Sequence, residues 1–177
     1  MKRIAMAPVF AAVALAANST FAAAQTAPDM VTASNPEGVV AAMTYAGYEA
    51  ALGTDAYGDP KIDGSFGGWS GAVWFYGCDE LTNEGCTSLQ LVVGFDRKNP
   101  MPLETLNEIA SSQRFVAIYL DEEGDPWLKW DIVTEEGIPA GVLNSSLQQY
   151  SQQVAAIADL VFEAERAEEE AAAVEGE

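Results

Sequence analysis

Gly71-Ala72-Val73-Trp74-Phe75-Tyr76-Gly77-Cys78 and Cys86-Thr87-Ser88-Leu89-Gln90-Leu91-Val92-Val93-Gly94-Phe95 are two β-rich runs joined by Asp79-Glu80-Leu81-Thr82-Asn83-Glu84-Gly85. Aromatic and β-branched residues on both sides of such a segment make a hairpin. Setting Cys78 opposite Cys86 places Tyr76 opposite Ser88, Trp74 opposite Gln90 and Ala72 opposite Val92 on one mixed face. The other face then carries Val73, Phe75, Leu89, Leu91, Val93 and Phe95 and is continuously apolar. Cysteine position and hydrophobic alternation are separate signals, and they agree on one register. A slip of one residue would turn the whole apolar set toward water.

Cys78 and Cys86 are the only cysteines in the chain. An even pair in an exported protein reads as a structural disulfide, and so short a loop contributes about 2–3 kcal/mol. Seven residues intervene, unlike the Cys-x-x-Cys spacing of a redox-active pair. Export itself is written at the start. Lys2 and Arg3 precede the uncharged apolar run Ile4–Ala17, and Ala22-Ala23-Ala24 supplies the small residues of a signal-peptidase site. Cleavage is expected after Ala24, with Ala22 as an alternative, which makes residues 1–24 a signal peptide. The apolar run is too short to span a bilayer, no cysteine near the cleavage point offers a lipid anchor, and no later run could cross a membrane. A periplasmic protein of a Gram-negative bacterium, without stable membrane insertion, is the expectation.

Further elements follow outward from the hairpin. Residues 25–34 read as a flexible leader. A helix begins at Ser34-Asn35-Pro36-Glu37, with a polar cap, proline in the first turn and an acid behind it, and it ends at Gly47. Val39, Val40 and Met43 form its stripe. Tyr48–Thr54 and Lys61–Phe66 are short strands around Ala56-Tyr57-Gly58-Asp59-Pro60, and Gly67-Gly68 breaks the chain again. Leu103–Ser112 is a helix burying Leu106, Ile109 and Ala110. A second hairpin pairs Arg114–Leu120 with Trp127–Val133 across Asp121-Glu122-Glu123-Gly124-Asp125-Pro126. A long helix runs from about Pro139 to Arg166. Its stripe Leu143, Leu147, Tyr150, Val154, Ile157 and Val161 suits either this chain's own sheet or a partner helix. Residues 167–177 are acidic, Ala-rich and read as a disordered tail. The domain thus covers residues 35–166.

The chain has 177 residues and a formal charge of −19. Removing residues 1–24 leaves six of the eight basic residues against all 27 acids, a charge of −21. Such a surface repels phosphate backbones and anionic lipid, so nucleic acid is not an expected partner. Histidine is absent, which removes Ser-His-Asp and Cys-His catalysis and most zinc chemistry. Asp55, Asp59 and Asp63, and the run Asp121, Glu122, Glu123 and Asp125, do not match an EF-hand loop and read as solvated turns. Gly58-Asp59-Pro60 and Gly124-Asp125-Pro126 repeat one turn chemistry. Asp131 is the only strand acid among aromatics, and no carboxylate sits in an obviously apolar setting. No catalytic residue, metal site or cofactor is assigned.

Alternation sends Leu128, Trp130 and Ile132 inward, with Val116, Ile118 and Leu120. Trp74, Tyr76, Phe115, Tyr119 and Trp127 would then share a partly exposed aromatic surface. Such a surface binds a partner or is covered by a helix or a second subunit.

Tyr76-Gly77-Cys78, Cys86-Thr87-Ser88-Leu89-Gln90, Arg114-Phe115 with Tyr119-Leu120-Asp121, Gly124-Asp125-Pro126 and Asp131 together resemble YbjN domain proteins, over roughly Asn35 to Val161. In place of the family's Asn-x-Trp-Asn-like stretch this chain has Asn107-Glu108-Ile109-Ala110-Ser111, so no role is carried onto that helix. The resemblance implies a sensory transduction regulator with a fold like the type III secretion chaperones, which are small α+β dimers that bind polypeptides and have no catalytic site. The expected architecture is α+β: an antiparallel sheet of about six strands with N-terminal, middle and long C-terminal helices packed on it. The expected function is non-catalytic protein or peptide binding, chaperone-like and linked to envelope signalling, with homodimerisation implied by the resemblance. The alternative is a carbohydrate- or envelope-polymer-binding protein using the tryptophans. A buried aromatic set would favour the first; a concave aromatic groove lined with acids would favour the second.

Overall fold

The computed structural model describes residues 28–175, and the signal sequence expected over 1–24 lies outside them. The first helix, α1 (Pro36–Tyr45), is capped by Asn35, whose Oδ1 accepts the Gly38 amide at 3.1 Å. Gly47 follows the helix with φ +88°, a conformation that suits glycine there. Val39, Ala42 and Met43 are its buried stripe.

Ahead of α1, β1 (Met30–Val31) pairs with β8 (Ile138–Pro139) as a small separate ladder. This corrects the leader expected over 25–34 for residues 28–34; residues 25–27 lie outside the described residues. Val31 and Ala33 are core residues, and the Ala33 amide donates to Thr134 Oγ1 at 2.9 Å. The partners lie about a hundred residues away, so nothing in the local composition announces the contact.

The main sheet is six-stranded and antiparallel throughout: β2 (Ala50–Thr54), β3 (Pro60–Phe66), β4 (Trp69–Tyr76), β5 (Ser88–Gly94), β7 (Pro126–Val133) and β6 (Ala117–Leu120), in that spatial order. The fold is therefore α+β, as expected. Ala72, Trp74 and Tyr76 oppose Val92, Gln90 and Ser88, and Cys78 is bonded to Cys86 with Cα atoms 3.8 Å apart. After β5 the chain forms α2 (Leu103–Ser112), returns as β6, and places β7 beside β5.

One sheet face carries Val73, Phe75, Leu89, Leu91, Val93 and Leu128, all at most 1% exposed. The long helix α3 (Ala140–Glu175) lies against this face with Leu143, Leu147, Tyr150, Val154, Ile157 and Val161 equally buried. The stripe thus packs on the chain's own sheet rather than on a partner helix. Tyr150 satisfies its buried hydroxyl by donating to the Leu128 carbonyl at 2.9 Å. Trp69 stacks on Phe162, and both meet Phe95 edge-on. The buried carboxylate of Glu165 accepts the Lys98 amide at 2.7 Å and lies 3.9 Å from Arg97 Nε, tying α3 to the segment after β5. Beyond Arg166 the helix continues to Glu175, where a disordered tail was expected. Alanine and glutamate are among the strongest helix formers, and nothing in that stretch stops the helix.

Candidate binding face

The helices bury their apolar stripes on one side of the sheet, and among the described residues no helix covers the opposite face. Its side chains fall in rows fixed by the register. Lys61, Trp74, Gln90 and Asp131 make one row; Asp63, Ala72, Val92, Lys129 and Ala117 the next; Gly94, Trp127 and Tyr119 a third. Tyr76 and Ser88 lie beyond the first row.

Lys129 stands in the middle. Its ammonium lies 4.8 Å from the Tyr119 ring centroid and 5.6 Å from that of Trp74, within cation–π range of both. Gln90 donates to Asp131 Oδ1 at 2.8 Å, and Lys61 pairs with Asp63 at 2.9 Å. Trp127 lies across Gly94: a Cβ there would come within 2.8 Å of the indole. The absent side chain is what lets the ring lie flat on the strand.

Between Trp74 and Trp127 runs an open groove of about 470 Å³, floored by Ala72 and Val92 and rimmed by Asp63, Asp96, Asp121 and Glu123. Its small floor residues give it depth, and its walls are aromatic and acidic. A second hollow of about 420 Å³ lies on the far side of Trp74, among Asp55, Tyr57, Asp59, Lys61 and Tyr76.

The two Gly-Asp-Pro turns are one structure used twice. Asp55 Oδ1 accepts the amides of Tyr57 and Asp59; Asp121 Oδ1 accepts those of Glu123 and Asp125. Asp121 Oδ2 also accepts the Trp127 indole N–H at 2.8 Å. The Asp125 amide, then the indole, hold the Asp121 carboxyl below its ordinary 3.8. The leading carboxylate of each acidic run is thus occupied by its own turn. Among the described residues no group of three or more His, Cys, Asp or Glu could hold a metal ion. The Tyr76 hydroxyl is pushed above its ordinary value by partial burial first, then by the Asp131 and Asp55 carboxylates and Tyr119. Asp131 and Asp55 thus lie near the Tyr76 end of the aromatic group.

Of the aromatic residues expected to share this surface, Trp74, Tyr76, Tyr119 and Trp127 are brought together. Phe115 is not. It precedes β6, has φ +70°, and stacks on Trp130 at 5.1 Å on the helix side, with Arg114 over its ring. Alternation had been extended beyond the point where the strand begins. Lys129 and Lys61 were not singled out as part of the site. The β3–β4 register would have found Lys61, because a two-residue Gly67-Gly68 turn sets it directly opposite Trp74.

The model of the YbjN family, described as "Putative bacterial sensory transduction regulator", matches residues 35–175. No curated protein and no solved structure matches the chain.

Proposed function

Since the chain belongs to the YbjN family, we propose that it is a non-catalytic binding protein of the periplasm, docking a protein or peptide partner on its open sheet face in envelope signalling. The observation that carries this reading is the uncovered face itself: Trp74, Tyr76, Tyr119 and Trp127 gathered around Lys129 on the side no helix covers. Tyrosine and tryptophan offer large contact area with little side-chain entropy to lose, and such residues dominate binding energy where they reach a pocket. The acidic rim favours a partner with basic groups, which could take the place of the Lys129 ammonium on the rings. Lys2-Arg3, the apolar run after them, Ala22-Ala23-Ala24 and the Cys78–Cys86 disulfide support the assignment to the periplasm.

A second reading, a carbohydrate- or envelope-polymer-binding protein, is the one that a concave, acid-lined aromatic groove favours, and such a groove is present. The groove between Trp74 and Trp127 is aromatic-walled and acid-rimmed, an arrangement that suits sugar rings and hydroxyls. Against it, the Lys129 ammonium already lies over Trp74, so a sugar stacking there would have to displace a cation.

The test is a pull-down from periplasmic extract with the oxidised protein and its Trp74→Ala, Trp127→Ala double variant, whose folding is checked by circular dichroism. A protein captured by the wild type and lost by the folded double variant is expected, at a cost of roughly 2 kcal/mol or more of binding energy. Retention of envelope glycan instead, lost in the same variant, would establish the second reading. Unfolding of the double variant would make the aromatic pair structural and remove the basis for both.

A further inference from the structure

The sheet has a second exposed feature, at the edge away from Tyr119 and Trp127. Strand β2 is the outermost strand on its side. Its residues Ala50, Ala51, Leu52, Gly53 and Thr54 include no charge and no proline, and Leu52 is 43% exposed. Exposed edges are ordinarily blunted by charge, proline, a bulge or extreme shortness, because unpaired N–H and C=O groups invite another strand. The opposite edge, β6, is shorter and has α2 beside it. β2 is one residue longer and, although α1 lies beside it, residues 51–54 all stay exposed.

Register tells which groups of β2 are unpaired. The Asp55 amide donates to the Asp59 carbonyl at 2.9 Å, and Thr54 opposes Pro60, which has no N–H to give. Antiparallel alternation then turns the amides and carbonyls of Ala51 and Gly53 toward β3 and those of Leu52 and Thr54 away from the sheet. Beside this edge lies a hollow of about 570 Å³ bounded by Leu52, Thr54, Pro36, Glu37, Glu84 and Cys86. No lysine or arginine lines it, and Glu49 and Asp55 flank the strand.

We propose that β2 accepts an extended peptide segment bearing Lys or Arg as a seventh strand, its alternate side chains entering the hollow between α1 and the disulfide loop. A second copy of this chain fits poorly. Antiparallel pairing of two β2 strands about Leu52 would set Glu49 of each copy directly opposite Asp55 of the other, a like-charge pair at both ends. A basic strand instead meets Glu37, Glu49, Asp55 and Glu84 with charges of the opposite sign.

The experiment uses the oxidised full chain and the probe peptide Lys-Val-Thr-Val-Thr-Val-Lys, with calorimetry for affinity and amide exchange for location. Protection of the Leu52 and Thr54 amides is expected on binding. N-methylation of alternate peptide bonds in the probe, or Leu52→Pro in the protein, should weaken binding about tenfold or more, since each removes main-chain hydrogen bonds from the new ladder. Glu in place of the terminal Lys residues should weaken it as well, whereas the Trp74→Ala, Trp127→Ala variant should bind unchanged. Equal affinity of the N-methylated probe, which needs no altered protein, would overturn the proposal. So would loss of binding in the tryptophan variant while its circular dichroism stays that of the folded protein, or Leu52 protection through self-association without peptide.

Discussion

Asp121 shows how one carboxylate can set both a turn and a recognition side chain. Its Oδ1 accepts the amides of Glu123 and Asp125, and its Oδ2 fixes the Trp127 indole at 2.8 Å. These donors hold its carboxyl below 3.8, the Asp125 amide first and the indole second. Because the folded value is the lower one, the linkage favours the fold fully above the ordinary value and is lost as pH falls through the folded value. An acid titration followed on the Trp127 indole N–H resonance should therefore show a step at lower pH than the step of unperturbed carboxylates. Asp121→Asn should abolish that step and leave the indole less ordered. A step at the ordinary carboxylate midpoint, or one surviving in the variant, would mean that the indole responds to general acid unfolding. Gly94 works with this anchor from the other side, leaving the strand bare where the ring lies. The orientation of Trp127 is thus fixed twice, by a hydrogen bond at its edge and a flat support beneath it.

At the scale of elements, the β3–β4 turn comes close against the backbone of α3. Gly67 has φ +59°, and a Cβ there would collide with the Ser151 carbonyl oxygen and approach the Ala155 amide, both helix backbone that cannot swing aside. Gly67→Ala should cost roughly 3 kcal/mol from combined overpacking and left-handed strain, read as a lower urea midpoint. Gly68, also at positive φ but with open space around it, is the control, and its alanine variant should lose only the strain. An equal loss in both variants would remove the close approach as the cause. Elements like these were legible where the signal was local and periodic. The hairpin register followed from two cysteines and alternation, and every stripe residue expected of α3 is in the core. What was not legible depended on distant partners or on element ends. Val31 and Ala33 are buried because β8 and Thr134 come to meet them. Phe115 lies off the aromatic face because β6 starts at Ala117, three residues after the expected start at Arg114. Alternation alone placed Trp74, Tyr76, Tyr119 and Trp127 on one sheet face, while the cations beside them needed the β3–β4 and β5–β7 registers together.

Over the whole molecule, charge opposes folding and favours binding of the proposed kind. The chain has 27 acids against 8 basic residues, so most carboxylates have no cation of their own. Their mutual repulsion acts on the compact state more than on the expanded one. Salt shortens its reach, from a Debye length of about 30 Å at 0.01 M to about 8 Å at physiological ionic strength. The urea midpoint should therefore rise across that range with an unchanged slope. Over the same range, affinity for a lysine-bearing segment should fall, because the attraction of Glu37, Glu49, Asp55 and Glu84 is screened along with the repulsion. Opposite movements of stability and affinity, measured on one sample, distinguish a surface held apart by its own charge from one laced with favourable pairs. If stability fell with salt, contacts such as Lys61–Asp63 would outweigh the net repulsion. If affinity stayed constant, docking would be apolar. The partner would then belong on Trp74, Tyr119 and Trp127, where a large aromatic area needs no help from the charges around it.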